Sequence, residues 1–149
     1  MKASYETLLV ELKENVLTIT FNREKSTNSF SRQMTQEVLG LCDFIQKDAL
    51  SDDPQVGSVI FTGGGPDRSF SVGGDFCDVS VLDQEDQIAE YLSEIVDLYI
   101  EILKINVPVI AAIDNYCIGQ GLQVALMSDW RIGTDNCKMA MPELKNGVA

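Results

Sequence analysis

A continuous apolar run, Val107–Ile113, limits the possible folds of this chain more than any other segment. The run is rich in β-branched residues, which is typical of a strand buried on both faces of a sheet. It leads into a glycine-flanked turn, Gly119–Gly121, after which Leu122, Ala125 and Leu126 recur at helical spacing. The pattern predicts a strand that is followed by a turn and then by a helix. At the N-terminus of that helix, unpaired amide groups point outward.

A second glycine-containing segment, Arg68–Phe76, follows another strand-like run, Gly57–Thr62. Backbone amides in such turns can bind an oxygen that gains negative charge during a reaction, and glycine lets the backbone come close enough. The two glycine-containing segments can each supply one amide to such an oxygen. The alternative is that the glycines only form tight turns, which is their commoner role. The glycines Gly63–Gly65 are interpreted as a turn rather than a phosphate loop, because no Gly-Lys-Ser/Thr sequence follows them.

The rest of the chain alternates between strand and helix patterns. The predicted elements are strands at Thr7–Leu12 and Val16–Phe21, a helix at Ser31–Leu50 with Ser31 as N-cap, a strand at Gly57–Thr62, a helix at Gln84–Lys104, and short strands at Trp130–Gly133 and Lys138–Met141. On the second helix, the residues expected to face inward are Ile88, Leu92, Ile95, Leu98, Tyr99 and Ile102. The alternation predicts an α/β fold of parallel βαβ units in a single domain, residues 1–149.

The charge of the chain excludes several classes of partner. It has 23 acidic and 11 basic residues and a net charge of -12, whereas binding to nucleic acid or to an anionic membrane needs a basic face. The N-terminus lacks the pattern of a secretory signal, and no apolar run is as long as a membrane span. We therefore expect a cytoplasmic protein that binds neither nucleic acid nor membrane.

Cysteine and histidine content limits the chemistry. Cys42, Cys77, Cys117 and Cys137 are far apart with no Cys-x-x-Cys pair, so we expect reduced, mostly buried thiols and no metal site. The chain has no histidine. Any proton transfer must use a carboxylate, Lys, Tyr, Cys or water, which excludes a Ser-His-Asp triad.

The two glycine segments together resemble the crotonase, or enoyl-CoA hydratase/isomerase, superfamily. The first reads Ser69-Phe70-Ser71-x-Gly73-x-Asp75, and the second reads Pro108-x-Ile110-Ala111-x-x-x-Asn115-x-x-x-Gly119-x-Gly121. The resemblance implies a crotonase-like ββα superhelix, a spiral core, that acts on an acyl-CoA thioester and needs no other cofactor. It also implies that the chain stops before the C-terminal helices that cover the acyl pocket and build a trimer or hexamer, so that the domain is incomplete at its C-terminus.

The resemblance also implies roles for individual residues. The main-chain amides of Gly74 and Gln120 match the oxyanion hole, and Gln123 and Glu143 match the two catalytic glutamates of the hydratases. A glutamine also stands in the middle of the turn, where many relatives have glycine, so we expect a reshaped pocket wall. The residues that match the CoA-binding region are Arg23, Lys25, Ser26, Val72, Gly73, Asp75 and Phe76. Within it, Arg23 and Lys25 are the candidates for a local basic spot.

One branch of the superfamily, carboxymethylproline synthase, is similar over four segments, Arg68–Phe76, Val96–Tyr99, Gly119–Met127 and Met141–Gly147. It implies decarboxylation of malonyl-CoA to an enolate, attack on a cyclic imine co-substrate and hydrolysis of the thioester. Glu143 would activate the hydrolytic water and Gln123 would orient substrate or water. Because a glutamine cannot accept a proton, this reaction is favoured over two-carboxylate hydration. An enoyl-CoA isomerase or hydratase and a non-catalytic binding or assembly protein remain the alternatives.

Overall fold

The chain forms an α/β fold, and a computed structural model describes residues 4–75, 77, 84–143 and 145. The strands in chain order are β1 (Leu8–Lys13), β2 (Val16–Phe21), β3 (Ser58–Gly63), β4 (Val109–Ile113), β5 (Tyr116–Ile118), β6 (Trp130–Gly133) and β7 (Lys138–Ala140). The helices are α1 (Arg32–Ala49), α2 (Glu85–Leu103) and α3 (Gln120–Leu126), with a 3-10 turn at Glu24–Ser26. Within the described ranges, no helix is both long and apolar enough to cross a membrane.

Two parallel-rich sheets confirm the predicted βαβ architecture. The larger sheet has the order β1-β2-β3-β4-β6, in which only β1 pairs antiparallel with its neighbour. Strands β5 and β7 pair in parallel as a second sheet. From β4 onward, consecutive strands alternate between the two sheets, so the chain winds as a spiral. Helix α1 connects β2 to β3, and α2 lies between β3 and β4, as parallel pairing requires.

The strand that precedes the glycine turn is shorter than predicted, and the sequence pattern missed the strand that follows it. Strand β4 begins at Val109 rather than at Val107. The backbone then turns at Asn115, which has a φ of 49°, and β5 enters the second sheet before the turn at Gly119. A strand of three residues is too short to show a period of its own, so the sequence could not separate it from the turn.

Four buried phenylalanines form the centre of the core. The ring centroid of Phe21 lies 5.1 Å from that of Phe30 and 5.1 Å from that of Phe70, in edge-to-face geometry, and 6.0 Å from that of Phe61. All four side chains are fully buried. Phe21 and Phe61 come from the main sheet, whereas Phe30 and Phe70 belong to connecting segments. The cluster therefore fixes two loops against the sheet.

Helix α1 begins as predicted, but the buried face of α2 differs from the prediction. The Ser31 hydroxyl accepts a hydrogen bond from the Met34 amide at 3.2 Å, which confirms the N-cap. On α2, the prediction that Ile88 and Leu92 face inward is wrong, since their exposed fractions are 40% and 55%. The most buried residues of α2 are Tyr91, Leu98 and Ile102. A second apolar stripe, exposed in the described structure, consists of Ile88, Leu92, Val96, Ile100 and Leu103. Because the helix is apolar on two faces, spacing alone could not select the buried one.

The edge of the fold formed by β6 and β7 is apolar and exposed. Trp130 and Ile132 have exposed fractions of 70% and 62%, and Met139 and Met141 are about half exposed. No described segment covers these side chains. A contiguous exposed apolar surface of this kind is unusual for an isolated domain.

The four cysteines lie in different environments. Cys42 and Cys117 are buried, Cys137 is half-buried, and Cys77 is exposed. Burial raises the pKa of the Cys42 and Cys117 thiols to about 12. The expectation of mostly buried thiols is therefore wrong for Cys77.

A buried carboxylate fixes the start of the first strand. Glu37 on α1 is only 3% exposed and accepts hydrogen bonds from the amides of Glu6 and Thr7 at 2.8 and 3.0 Å and from the Thr7 hydroxyl at 2.6 Å. Burial acts to raise the pKa of the Glu37 carboxyl, but the hydrogen bonds from Thr7 and Glu6 outweigh it and hold the pKa below its usual value. The ionised form of Glu37 therefore stabilises the fold.

We predict that Glu37→Gln lowers the free energy of unfolding by about 1–3 kcal/mol at pH 7, because charge-assisted hydrogen bonds are lost. The pKa of Glu37 is lower in the folded chain, so its contribution is present above the ordinary value of 4.5 and is lost as the pH falls through the folded-state pKa. Urea unfolding at pH 7 and at decreasing pH should show the difference between the two proteins shrinking in acid. The exposed Glu11→Gln is the matched control and should differ little from the wild type; an equal pH dependence of Glu37→Gln and wild type would contradict the assignment.

Candidate active site

The fold brings the two glycine segments into direct contact. The Ser71 amide donates to Tyr116 O at 2.9 Å and the Ile118 amide donates to Ser71 O at 2.9 Å, so the first segment lies beside β5. Further along, a Cβ atom placed on Gly73 would be 3.6 Å from the Gln120 amide nitrogen. The contact between the segments, which the sequence pattern left open, is therefore made by main chain against main chain.

Two glycines allow this close approach. A Cβ atom on Gly121 would lie 2.6 Å from the Cβ of Ser71, which is closer than real Cβ atoms come. Gly119 has a φ of 53°, and a Cβ atom there would lie 3.1 Å from Oε1 of Glu143. The glycines of the second segment therefore do more than form a turn. They make room for Ser71 on one side and for the Glu143 carboxylate on the other.

The amides of Gly74 and Gln120, the predicted oxyanion donors, have no acceptor among the described residues. The Phe30 amide donates to Gly73 O at 2.7 Å and the Asp75 amide donates to Phe30 O at 2.9 Å. This bridge uses the residues on both sides of Gly74 and leaves its own amide free. Helix α3 has only seven residues, so its dipole contributes little. The chemical capacity of the site lies in two unpaired amides from adjacent segments, which can stabilise an oxyanion.

A polar group at the start of α3 lies beside these amides. The Gln123 amide donates to Gly119 O at 2.9 Å, and Glu143 lies on the other side of Gly119. The Tyr99 hydroxyl, from α2, donates to Oε1 of Gln123. Burial first, and then the negative charge of Glu143, raise the pKa of Tyr99, so it remains a neutral donor. Two residues matched to the catalytic glutamates are thus brought together with a tyrosine.

Sequence reasoning missed the role of Tyr99. It placed Tyr99 on the inward face of α2 and in a segment that resembles the carboxymethylproline synthase branch, but gave it no partner. The available signal was chemical, since a buried tyrosine hydroxyl usually finds a hydrogen-bonding partner. Its partner, Gln123, lies 24 positions further along the chain, and only the fold identifies it.

Of the two residues expected to form a basic spot in the CoA-binding region, Arg23 is already in an ion pair. The Arg23 guanidinium forms an ion pair with Asp75 at 2.9 Å and donates to Ser29, so its charge is used inside the fold. Burial acts to raise the pKa of Asp75, but the hydrogen bond from Arg23 and those from Cys77 and Ser29 hold the pKa below its usual range. Arg23 and Asp75 therefore connect the two loops, and the exposed Lys25 is the remaining basic candidate.

The other residues predicted for CoA binding fall in two places. Arg23, Lys25 and Ser26 line an open groove of about 440 Å³. Val72 is half-buried and Gly73 is buried beside Gln120. Phe76 lies outside the described residues. The predicted site residues thus divide between a polar group around Gly119 and a groove at the 3-10 turn.

The chain belongs to the enoyl-CoA hydratase/isomerase family, whose model matches residues 11–149. A carboxymethylproline synthase from Pectobacterium carotovorum subsp. carotovorum is 39% identical over 142 residues, which cover 93% of this chain and 53% of that protein. A probable enoyl-CoA hydratase from Mycobacterium tuberculosis (strain CDC 1551 / Oshkosh) is 32% identical over 97% of this chain and 52% of that protein. This chain therefore spans about half the length of the curated relatives it matches.

Solved structures agree with the family and confirm the crotonase-like fold. An enoyl-CoA hydratase/isomerase from Xanthobacter autotrophicus Py2 has a TM-score of 0.86 and 28% identity over 97% of this chain and 52% of that chain. An enoyl-CoA hydratase/carnithine racemase from Magnetospirillum magneticum has a TM-score of 0.87 and 24% identity, over 98% of this chain and 53% of that chain, and supports the fold alone. The predicted resemblance to this superfamily is therefore confirmed.

We predict that Gly121→Ala destabilises the chain by about 1–3 kcal/mol, because the added methyl group collides with Ser71 and forces the two segments apart. Gly40→Ala is the matched control, since Gly40 lies in α1 with open space around its Cβ position. This control should stabilise the chain by about 0.5–1 kcal/mol through helix propensity. Urea unfolding of both variants measures the difference. Equal effects of the same sign would show that the contact at Gly121 is not close-packed.

Proposed function

We propose that the protein containing this chain binds an acyl-CoA thioester and stabilises its enolate. The free amides of Gly74 and Gln120 support this proposal, because they lie on adjacent segments that are in contact, and a thioester oxygen bound between the two segments would accept from both. Charge that moves onto the thioester oxygen in the transition state meets dipoles that are already oriented, so little reorganisation is needed. Neither amide depends on its own side chain.

The observation that carries the choice of reaction is at Tyr99: its hydroxyl bonds to the neutral Gln123, and among the described residues Glu143 is the carboxylate whose charge acts on it. With one carboxylate, a site is poorly suited to hydration by two glutamates that share a water. Decarboxylation of malonyl-CoA needs no base, only an enolate stabiliser. The bond between the carboxylate and the α-carbon breaks, carbon dioxide leaves, and the electron pair passes to the thioester oxygen. A neutral amide at position 123 also avoids repulsion toward the malonyl carboxylate.

The enolate is then consumed by carbon-carbon bond formation. Its α-carbon attacks the carbon of a cyclic imine, and the imine nitrogen takes up the electron pair and a proton. Water activated by Glu143 next attacks the thioester carbonyl, and coenzyme A leaves as the thiol with a proton. The similarity to a carboxymethylproline synthase supports this sequence. In this scheme Tyr99 acts as a positioning residue, because its hydroxyl fixes the orientation of the Gln123 amide.

An enoyl-CoA hydratase or isomerase is the second candidate. Several relatives carry hydratase names, among them a crotonyl-CoA hydratase from Syntrophomonas wolfei subsp. wolfei that is 32% identical over 97% of this chain. In that reaction Glu143 would move a proton to or from an acyl chain without a carboxylate. Turnover of an enoyl-CoA with none of malonyl-CoA would favour this candidate.

Assembly is a further part of the proposal. We propose that the apolar edge of β6 and β7 is covered in a homo-oligomer. Trp130 and Ile132 support this, since their exposure leaves a large apolar area in water. A chain that self-associates and turns over no thioester would instead favour a non-catalytic binding or assembly protein.

We predict that the chain converts malonyl-CoA to carbon dioxide and an acetyl-CoA-derived product. Mass spectrometry, with and without pyrroline-5-carboxylate, measures the products. Glu143→Gln should leave carbon dioxide release measurable and slow thioester hydrolysis by about 100-fold or more, since it removes the group that activates water. The exposed Glu11→Gln is the control and should behave as the wild type. If Glu143→Gln lost decarboxylation and hydrolysis equally, its assignment to the water step would be wrong. If the chain turned over no thioester, the catalytic proposal would be contradicted.

We predict that Tyr99→Phe slows product formation by about tenfold, because Gln123 loses the hydrogen bond that orients it. In a Gln123→Ala background the same change should have little further effect. The double-mutant cycle, measured as kcat/KM for malonyl-CoA, separates positioning from a general structural role. Additive losses would mean that Tyr99 does not act through Gln123.

A further inference from the structure

The side chain of Gln120 carries a polar group that the proposed reaction does not use. Gln120 is only 7% exposed, and its Nε2 atom has no hydrogen-bonding partner in the described part of the chain. Among the buried side-chain nitrogen and oxygen atoms of the described residues, only one other has no hydrogen-bonding partner, the hydroxyl of Ser128. A buried N–H donor without an acceptor is unfavourable, and such groups in native structures call for an explanation.

The position of this carboxamide is informative. Oε1 of Gln120 lies 3.2 Å from the place where a Cβ of Gly74 would be, so the carboxamide rests against Gly74. The main-chain amides of the same two residues are the proposed oxyanion donors. A side-chain donor and two main-chain donors are therefore grouped at one point. Rotation about the last side-chain torsion of Gln120 turns its N–H groups without moving the main chain.

We propose that Gln120 recognises a hydrogen-bond acceptor oxygen on the third carbon of the acyl group. The ligand class is an acyl-CoA with a carboxylate or a ketone at that carbon, as in malonyl or 3-oxoacyl thioesters. This inference rests on the proposed function and adds a substrate preference to it. When the thioester oxygen is held by Gly74 and Gln120, the third carbon is two bonds from the thioester carbon and lies near the same side chain.

Burial of the donor makes it selective. Nε2 has neither solvent contact nor an acceptor in the described part of the chain, so an acceptor that it reaches after rotation of the carboxamide gives a partner to a donor that is otherwise unpaired. A ligand with only C–H groups at the third carbon leaves the donor unpaired, and a site built for a hydrogen bond discriminates strongly against the analogue that lacks the partner. A neutral amide can donate to a ketone as well as to a carboxylate.

Acetoacetyl-CoA and butyryl-CoA provide a matched pair of probes, since both have four acyl carbons and differ by the oxygen at the third. We expect titration calorimetry on the full chain to give a dissociation constant about tenfold lower for acetoacetyl-CoA, equal to about 1.4 kcal/mol. Gln120→Met keeps the main-chain amide and the side-chain length but removes the donor, and should bring this ratio to about one. Ser128→Ala, which removes the other unpartnered polar atom, is the control and should keep it. Malonyl-CoA, measured in the same way, distinguishes a carboxylate from a ketone as the preferred acceptor.

A wild-type ratio near one, or a tenfold ratio that persists in a folded Gln120→Met, would overturn the inference while leaving acyl-CoA binding intact. If the wild type binds none of the thioesters, the proposed function itself fails and the inference with it. If the Gln120→Met variant does not fold, Gln120→Glu is the second variant. It also removes the donor, so it should abolish the preference for acetoacetyl-CoA and weaken malonyl-CoA further by repulsion. A retained preference in a folded Gln120→Glu contradicts the assignment.

Discussion

The packing of Phe21 against Phe30 and Phe70 holds the candidate site in place. Phe21 ends β2, while Phe30 belongs to the loop that leads into α1 and Phe70 lies within the first glycine segment. The main chain of Phe30 also bonds to both Gly73 and Asp75. The aromatic packing therefore holds the main chain around Gly74 in position relative to the sheet. Polar groups support the same arrangement, since Nδ2 of the Asn28 side chain donates to Ser69 O at 2.8 Å. A site built from main-chain donors needs this rigidity, because an unpaired amide stabilises an oxyanion only when its direction is fixed.

Local patterns were sufficient to predict most of the fold. Strand β2 has the predicted limits, Val16–Phe21, and α1 begins directly after the predicted N-cap, Ser31. These elements have a period and an end signal within one stretch of sequence. The failures have a different origin. Strand β5 is too short to show a period, and α2 carries two apolar stripes of which tertiary packing buries one. In both cases the deciding information comes from a distant segment, Ser71 for β5 and α1 for α2.

The candidate site divides in the same way. Gly74, Gln120, Gln123 and Glu143 are matched through the resemblance to the superfamily, and the fold places them on neighbouring segments. The partners of individual side chains do not follow from spacing. The sequence indicated Arg23 as a basic residue for an anionic ligand, but it could not reveal the ion pair that the Arg23 guanidinium forms with Asp75. Tyr99 looked like a core residue, but its hydroxyl holds Gln123. Ion pairs and side-chain hydrogen bonds join residues that are far apart in the sequence, and a pattern that reports on neighbours cannot reveal them.

The electrostatics of the chain explain why neutral donors suit this site. A CoA thioester is anionic, and this chain carries a net charge of -12, so long-range attraction does not bring the two together. Recognition has to come from short-range dipoles. Main-chain amides at Gly74 and Gln120 and side-chain amides at Gln120 and Gln123 can donate hydrogen bonds, and they carry no formal charge that acidic neighbours would neutralise. A carboxylate at position 123 would add a second negative charge next to Glu143 and next to any carboxylate on the substrate. In the proposed reaction, the two glutamines would let an acidic chain hold an acidic acyl group beside the amides of Gly74 and Gln120.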